Sequence, residues 1–219
     1  MPDRSRAREL AAEYIEKGDP LGWFEALYHE AESGKTVVPW ADHAPNPHLL
    51  EFWKEHPEEG AGKTALVIGS GLGDDAEQIA AWGFKTTAFD ISQTAIKACR
   101  KRFPNSVVEY AAEDLLAPPA IWMRQFDFVF EAYTFQALPP DLRRVAMGKT
   151  AELLSPGGVL LVIARGREET EPEGKLPWPL TRAELAAFKG LGLTELSFED
   201  YFDSEEPRVR RFRALYSRK

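Results

Sequence analysis

The chain has 219 residues, 44% of them hydrophobic, a net charge of −8 and a single cysteine, Cys99. One cysteine excludes an intrachain disulfide and a cysteine metal cluster, and no metal site is expected. The acidic balance argues against a nucleic-acid partner, and no apolar run reaches membrane-spanning length. This length suits one domain, 1–219, whose core needs no covalent staples.

The charged N-terminus reads as helix rather than signal peptide, because no apolar h-region follows. A cytoplasmic protein without membrane contact is expected, as a monomer or homodimer. Residues 6–17 carry Leu10, Ala11, Tyr14 and Ile15 at helical spacing. Asp19-Pro20 reads as the cap and first turn of a second helix, which presents Phe24, Leu27 and Tyr28 on one face and ends near Gly34. A loop over 35–46 holds Pro39-Trp40-Ala41-Asp42-His43, and Asn46-Pro47 starts a third helix. Residues 1–60 thus form a helical cover ahead of a core at 61–219.

In the core, Ala65-Leu66-Val67-Ile68 is an apolar run suited to a strand buried on both faces. The turn Gly69-Ser70-Gly71-Leu72-Gly73 follows, then a helix from Asp74 to about Trp82 and a strand from 85 that ends on Asp90. Ser92 caps the next helix; further strands are expected at 106–111, 126–132 and 159–165, with Pro139-Pro140 opening the helix between the last two and Pro156-Gly157-Gly158 turning out of it. Thr181 to Glu184 is a capping box. The last strands, 193–201 and 208–216, are joined by a connection too short for a right-handed crossover. The fold class is therefore α/β, a Rossmann-like seven-stranded, mostly parallel sheet with a C-terminal antiparallel hairpin and helices on both faces. Arg208, Arg210, Arg211 and Arg213 in the hairpin are expected on a solvated strand face, and His29, His48 and His56 at the surface.

Strand, glycine turn, helix, strand and terminal carboxylate together make a site for an adenine nucleoside. The glycines let backbone approach a ligand, and Asp90 can accept from both ribose hydroxyls. A dinucleotide fingerprint would need glycine at position 74, where Asp74 stands. Asp74 and Asp75 would repel a pyrophosphate from the helix dipole yet suit a ligand bearing an ammonium and a sulfonium. The G-x-G-x-G pattern with Asp90 resembles motif I of the class I S-adenosylmethionine methyltransferases. This implies S-adenosyl-L-methionine as cofactor, with Gly69, Ser70 and Gly71 around its methionine part and Asp90 on its ribose.

The run Phe126 to Glu131, followed by Gln136-Ala137-Leu138-Pro139-Pro140-Asp141-Leu142-Arg143, resembles the thiopurine and thiol methyltransferase superfamily with its A-L-P-P-x-x-R segment. Gly22-Trp23, Pro39-Trp40 and Pro47 are similar to the N-terminal region of its halide/thiol branch. That resemblance implies Trp40 in a cover over the cofactor, Ile91 against adenine, and Glu113 and Asp114 at its amino edge, with Glu131 receiving the ammonium or lining the substrate mouth. Glu113 and Asp114 read equally well as solvated loop acids, and Trp40 as plain packing. Glu131-Ala132-Tyr133 departs from the family's acid-arginine pair after strand four. The partner implied is a small-molecule methyl acceptor, a thiol or another soft nucleophile. Oxygen or nitrogen methylation, which would need His43 or Tyr133 as a base, remains open, as does a non-catalytic adenosyl-ligand binder.

Overall fold

The computed structural model describes residues 3–57 and 60–219. Seven strands, β1 (Thr64–Ile68), β2 (Lys85–Asp90), β3 (Glu109–Ala112), β4 (Phe126–Ala132), β5 (Leu154–Arg165), β6 (Leu193–Phe202) and β7 (Arg210–Arg218), form one sheet in the order β3-β2-β1-β4-β5-β7-β6. The first five pair in parallel, and β7 inserts antiparallel between β5 and β6. The expected α/β fold class is the one observed.

Period-two alternation decides what each strand buries. Leu66 and Ile68 of β1 enter one core with Leu160 and Val162 of β5, and Ala65 and Val67 enter the opposite one with Leu161 and Ile163. Helices α1 (Ser5–Glu16), α2 (Gly22–Glu32), α3 (Pro47–Glu55), α4 (Asp74–Ala81), α5 (Gln93–Arg102), α6 (Pro140–Leu153) and α7 (Arg182–Ala186) complete the fold. Leu49 and Phe52 of α3, Ile79 of α4 and Ile96 of α5 pack on one sheet face, while Ala146 and Met147 of α6 and Leu185 of α7 pack on the other. The first two helices share a third cluster of Leu10, Trp23 and Leu27 with Leu176.

Several local expectations are corrected. The second helix begins at Gly22, because Asp19 spends its carboxylate on the Gly22 amide (3.0 Å) in the preceding turn. The third strand starts at Glu109, since Ser106 makes a turn by accepting from the Val108 amide at 2.9 Å. The turn at Pro156-Gly157-Gly158 lies inside β5, as an irregularity between the Phe126–Leu154 and Phe128–Val159 pairs. The hairpin arginines are not all solvated: Arg211 and Arg213 are 4% and 3% exposed. Arg213 donates to Glu199 (2.8 and 2.6 Å) and Glu55 (2.7 Å), so its charge is buried with partners. His48 is also buried, hydrogen-bonded through Nδ1 to the Tyr201 hydroxyl at 3.0 Å.

Candidate active site

A cavity of about 670 Å³ opens at the carboxyl ends of β1, β2, β4 and β5 and is roofed by residues from α1, α2 and the 33–46 segment. Ligands of open α/β sheets bind at this edge, and the volume is in the range of small-molecule sites. The glycine turn forms its floor. Gly71 has φ +54, and a Cβ there would lie 3.2 Å from the Tyr28 hydroxyl and within 4.0 Å of the Trp40 ring. Only glycine keeps that surface flat and unstrained. Ser70 and Gly71 are fastened to β2, their amides donating to Phe89 O (2.8 Å) and Asp90 Oδ2 (3.0 Å). Asp90 Oδ1 accepts from the Ser92 amide at 2.9 Å, and the Ser70 hydroxyl is buried with no hydrogen-bond partner among the described residues. Burial pushes the Asp90 carboxyl up to about 6, against the pull of the two amides.

The helical cover is attached to this floor through a carboxylate. Glu25 of α2 accepts from the Ser92 hydroxyl (2.6 Å), the Thr94 hydroxyl (2.6 Å) and the Thr94 amide (3.1 Å), so it caps α5 beside Asp90. Trp40 lines the cavity at 37% exposure, its Nε1 donating to the Tyr28 hydroxyl at 2.9 Å and its ring edge-on to Trp23.

The structure brings Trp40, Gly69, Ser70, Gly71, Asp90, Ile91, Glu113, Asp114 and Tyr133 to one cavity. It does not bring His43 or Glu131 there. His43 is exposed on the segment that roofs the cavity and is absent from its lining, where its neighbours Asp42 and Ala44 are found. Glu131 is fully buried below the floor, where its Oε1 accepts from the Thr134 (2.6 Å) and Phe135 (3.0 Å) amides; burial pushes it up to about 8. It neither receives an ammonium nor lines a substrate mouth in this arrangement. The two helix-start acids part company as well. Both line the cavity, but Asp74 is bound by both terminal nitrogens of Arg102 at 2.8 Å, whereas Asp75 has one oxygen on the Asn46 amide (2.6 Å) and is pushed up to about 6 by burial.

Tyr133 sits at φ +68, a left-handed conformation that costs a bulky residue of order 1–3 kcal/mol. Burial raises its hydroxyl. His48 also lines the cavity, lowered to about 4, first by burial and then by Arg211. Tyr28, His48, Gln136 and the arginines Arg4, Arg165 and Arg211 were not among the sequence candidates. The one available signal was for Arg165, which ends a parallel strand on the ligand-binding edge.

Comparison with known proteins agrees with this site. Residues 65–158 match the family model "Methyltransferase domain". The chain is 24% identical over 182 residues to Thiopurine S-methyltransferase of Vibrio atlanticus, covering 75% of this chain and 81% of that protein. It is 29% identical over 165 residues to Probable thiol methyltransferase 2 of Arabidopsis thaliana, covering 72% and 67%. Its fold superposes on 1,6-didemethyltoxoflavin-N1-methyltransferase of Burkholderia thailandensis, a structure with bound S-adenosylhomocysteine, with a TM-score of 0.72 at 16% identity, over 95% of this chain and 90% of that one.

The chain is an S-adenosylmethionine-dependent methyltransferase, with the methyltransferase domain match over residues 65–158. Within that class it is thiol methyltransferase-like and acts on a small molecule with S-adenosyl-L-methionine as cofactor. The residues fit that group: the turn is flat at Gly71, Ser70 offers an unpartnered hydroxyl, and Asp90 supplies a buried acceptor for ribose.

Proposed function

We propose that the chain methylates a small thiol at sulfur. The observation that carries this reading is that none of His43, His48 and Tyr133 is placed as a competent base, while the raised carboxyls of the lining, Asp75 and Asp90, are engaged by the Asn46, Gly71 and Ser92 amides. His48 is held down to about 4, the Tyr133 hydroxyl is raised, and His43 lies off the lining. An alcohol would need such a base to take its proton, whereas a thiol ionises near neutral pH unaided. The similarity to thiol and thiopurine methyltransferases supports the same choice.

When bound, S-adenosylmethionine would supply a methyl group on a positively charged sulfur, which a thiolate could accept as the departing sulfur keeps the electron pair of the broken bond. The chain's own residues orient and exclude water. Gly69, Ser70 and Gly71 hold the methionine part, Asp90 the ribose hydroxyls, and Ile91 the adenine face, with Glu113 and Asp114 at the adenine edge. Asp75 balances positive charge near the helix start. Trp40 closes over the cofactor, and Tyr133 shapes the acceptor side.

The test is a panel of thiols, phenols and amines of similar size, scored by formation of S-adenosylhomocysteine. Turnover confined to thiols is expected. Turnover of phenols or amines with inert thiols would reverse the reading.

A further inference from the structure

The cavity end away from the glycine turn carries a charge imbalance that methyl transfer does not itself require. Arg165, the last residue of β5, stands opposite Arg211 of β7 as its Cα partner, and both line the cavity with Arg4, the residue before α1. Like charges directly opposed across a sheet repel. Arg211 is compensated, with Nε donating to Asp203 at 2.7 Å and Nη2 to Glu205 at 2.5 Å. Arg165 is not compensated. Its Nη2 is buried without a hydrogen-bond partner, and among the described residues no carboxylate lies within ion-pair distance of it or of Arg4.

Gln136 cannot serve as the missing acceptor in its present pose, because its Oε1 accepts from the Arg165 backbone amide at 2.7 Å. Burial, followed by Arg4 and Arg211, pushes Arg165 down to about 10, and burial lowers Arg4 too, yet both stay cationic at neutral pH. Four guanidiniums, Arg4, Arg8, Arg165 and Arg211, therefore meet three carboxylates, Asp42, Asp203 and Glu205, and one positive charge is left over. A buried donor without an acceptor is costly to the protein alone, and the guanidinium fork matches the two oxygens of an oxyanion.

We propose that this end of the cavity binds an oxyanion group of the methyl acceptor, with Arg165 as the principal ligand and Arg4 as the second. With the thiol reading above, on which only the identity of the nucleophile rests, the acceptor is a small thiol carrying a carboxylate or similar acid. The anionic group docks away from the glycine turn, and the cavity leaves the sulfur end free to face the cofactor.

The experiment separates docking from transfer. Benzoate and benzamide are titrated calorimetrically into the full chain saturated with S-adenosylhomocysteine. Benzoate should bind about ten- to hundredfold more tightly, the range expected for hydrogen bonds to a charged group. Arg165→Gln should erase that preference and Arg165→Lys should restore part of it, with Arg4→Gln as an independent variant in case the first fails to fold. Equal binding of the two ligands by the unaltered protein, or a preference that survives in both glutamine variants, would overturn the proposal. In parallel, kcat/KM is measured for 4-mercaptobenzoate and thiophenol. A loss in Arg165→Gln confined to 4-mercaptobenzoate is expected; equal losses for both would assign the guanidinium to the thiolate instead and defeat the proposal. An Arg165-dependent benzoate preference with every thiol inert would refute the thiol reading while the oxyanion site stands.

Discussion

The Gly71 amide donates to Oδ2 of Asp90 across 3.0 Å, which makes the turn after β1 and the end of β2 one hydrogen-bonded unit. The same carboxylate takes the Ser92 amide on its other oxygen. Asp90 therefore holds the turn in shape, and on the proposed function its remaining lone pairs serve the ribose. Asp90→Ala should weaken S-adenosylhomocysteine binding by about 1.5–3 kcal/mol, the range for hydrogen bonds to a charged group, when measured calorimetrically. Asp90→Asn should lose less, because its amide oxygen can still accept. Unchanged affinity in both variants would remove Asp90 from the cofactor site.

Asp90 also makes that affinity depend on pH. Its carboxyl is raised to about 6 in the free protein by burial, with Glu25 adding to the rise. Ribose hydroxyls donate to the charged form, so binding should draw the proton off. Affinity for S-adenosylhomocysteine is expected to be flat above about pH 6 and to fall by up to about tenfold per unit below it. An affinity that is flat down to pH 4.5 would show that the carboxylate is not engaged.

Stability of the free protein should run the other way. Glu131, Asp75 and Asp90 all have raised values, to about 8, 6 and 6, with burial as the first cause of each. The folded chain therefore binds more protons than the unfolded one between ordinary carboxyl values and these raised ones, and stability falls as pH rises through that window. The partnered acids Asp127, Asp200 and Asp203 are lowered, so their contribution is lost only at more acid pH. Denaturant midpoints should thus be higher at pH 5.5 than at pH 8.5. Glu131→Gln, whose amide oxygen can still accept from Thr134 and Phe135, should flatten the upper part of that slope. A slope of opposite sign would place these carboxyls in a more polar setting than the structure does.

The arginine of the A-L-P-P-x-x-R segment turns out to be architectural. Arg143 is 2% exposed, donates to Phe135 O (3.0 Å) and Leu138 O (3.2 Å), and pairs with Glu184 of the α7 capping box. It ties the turn after β4, which carries Tyr133 and Gln136 into the cavity, to α6 and α7 on the same face of the sheet. Arg143→Leu leaves two carbonyls and a carboxylate without their partner, and should cost about 3–5 kcal/mol by chemical denaturation. A loss under 1 kcal/mol would mean that water or a neighbour replaces it.

What was legible in the sequence is what local chemistry encodes. The glycine turn, Asp90 and the capping box each depend on a few consecutive residues with demanding backbone geometry, and their positions follow from spacing alone. The antiparallel C-terminal hairpin followed from the length of its connection. The acceptor end was not legible, because Arg4, His48, Arg165 and Arg211 come together only when β7 inserts beside β5 and the first helices fold over the edge. Arg211 and Arg213 read as a solvated stripe for the same reason. Their partners, Asp203 and Glu55 among them, lie across a hairpin or in the cover. Glu131 was misplaced because a strand's last acid on the ligand edge looks the same in sequence whether it points into the cavity or beneath it.

The cover itself should respond to ligand. Trp40 belongs to the 33–46 segment between α2 and α3, where its ring lies over Gly71 and its indole N–H donates to the Tyr28 hydroxyl. Trp40→Ala removes a third-exposed ring from a well-anchored neighbourhood, so the melting temperature should change little while S-adenosylhomocysteine binds about tenfold more weakly, roughly the 1.4 kcal/mol of a lost aromatic contact. Limited proteolysis between Lys35 and His43 should slow when that ligand is present. Equal cleavage with and without it would make the segment fixed scaffold.

The pH dependence of turnover addresses how the nucleophile loses its proton. His43, His48 and Tyr133 could in principle take it, and each meets an objection. His43 is exposed and off the cavity lining, His48 is buried against Tyr201 with its value lowered to about 4, and burial raises the Tyr133 hydroxyl so that it keeps its own proton, while the raised carboxyls Asp75 and Asp90 are engaged by backbone amides. A thiol acceptor then reacts through the fraction already ionised. With the cofactor saturating, kcat/KM should rise about tenfold per pH unit below the acceptor's own pKa and level off above it, and the break should move when a more acidic thiol is used. His43→Ala should stay within about twofold of the unaltered rate, and Tyr133→Phe should change KM more than the position of the break. A break that stays near one pH for thiols of different acidity, and vanishes in His43→Ala or Tyr133→Phe, would identify an enzymic base and overturn the self-ionising mechanism.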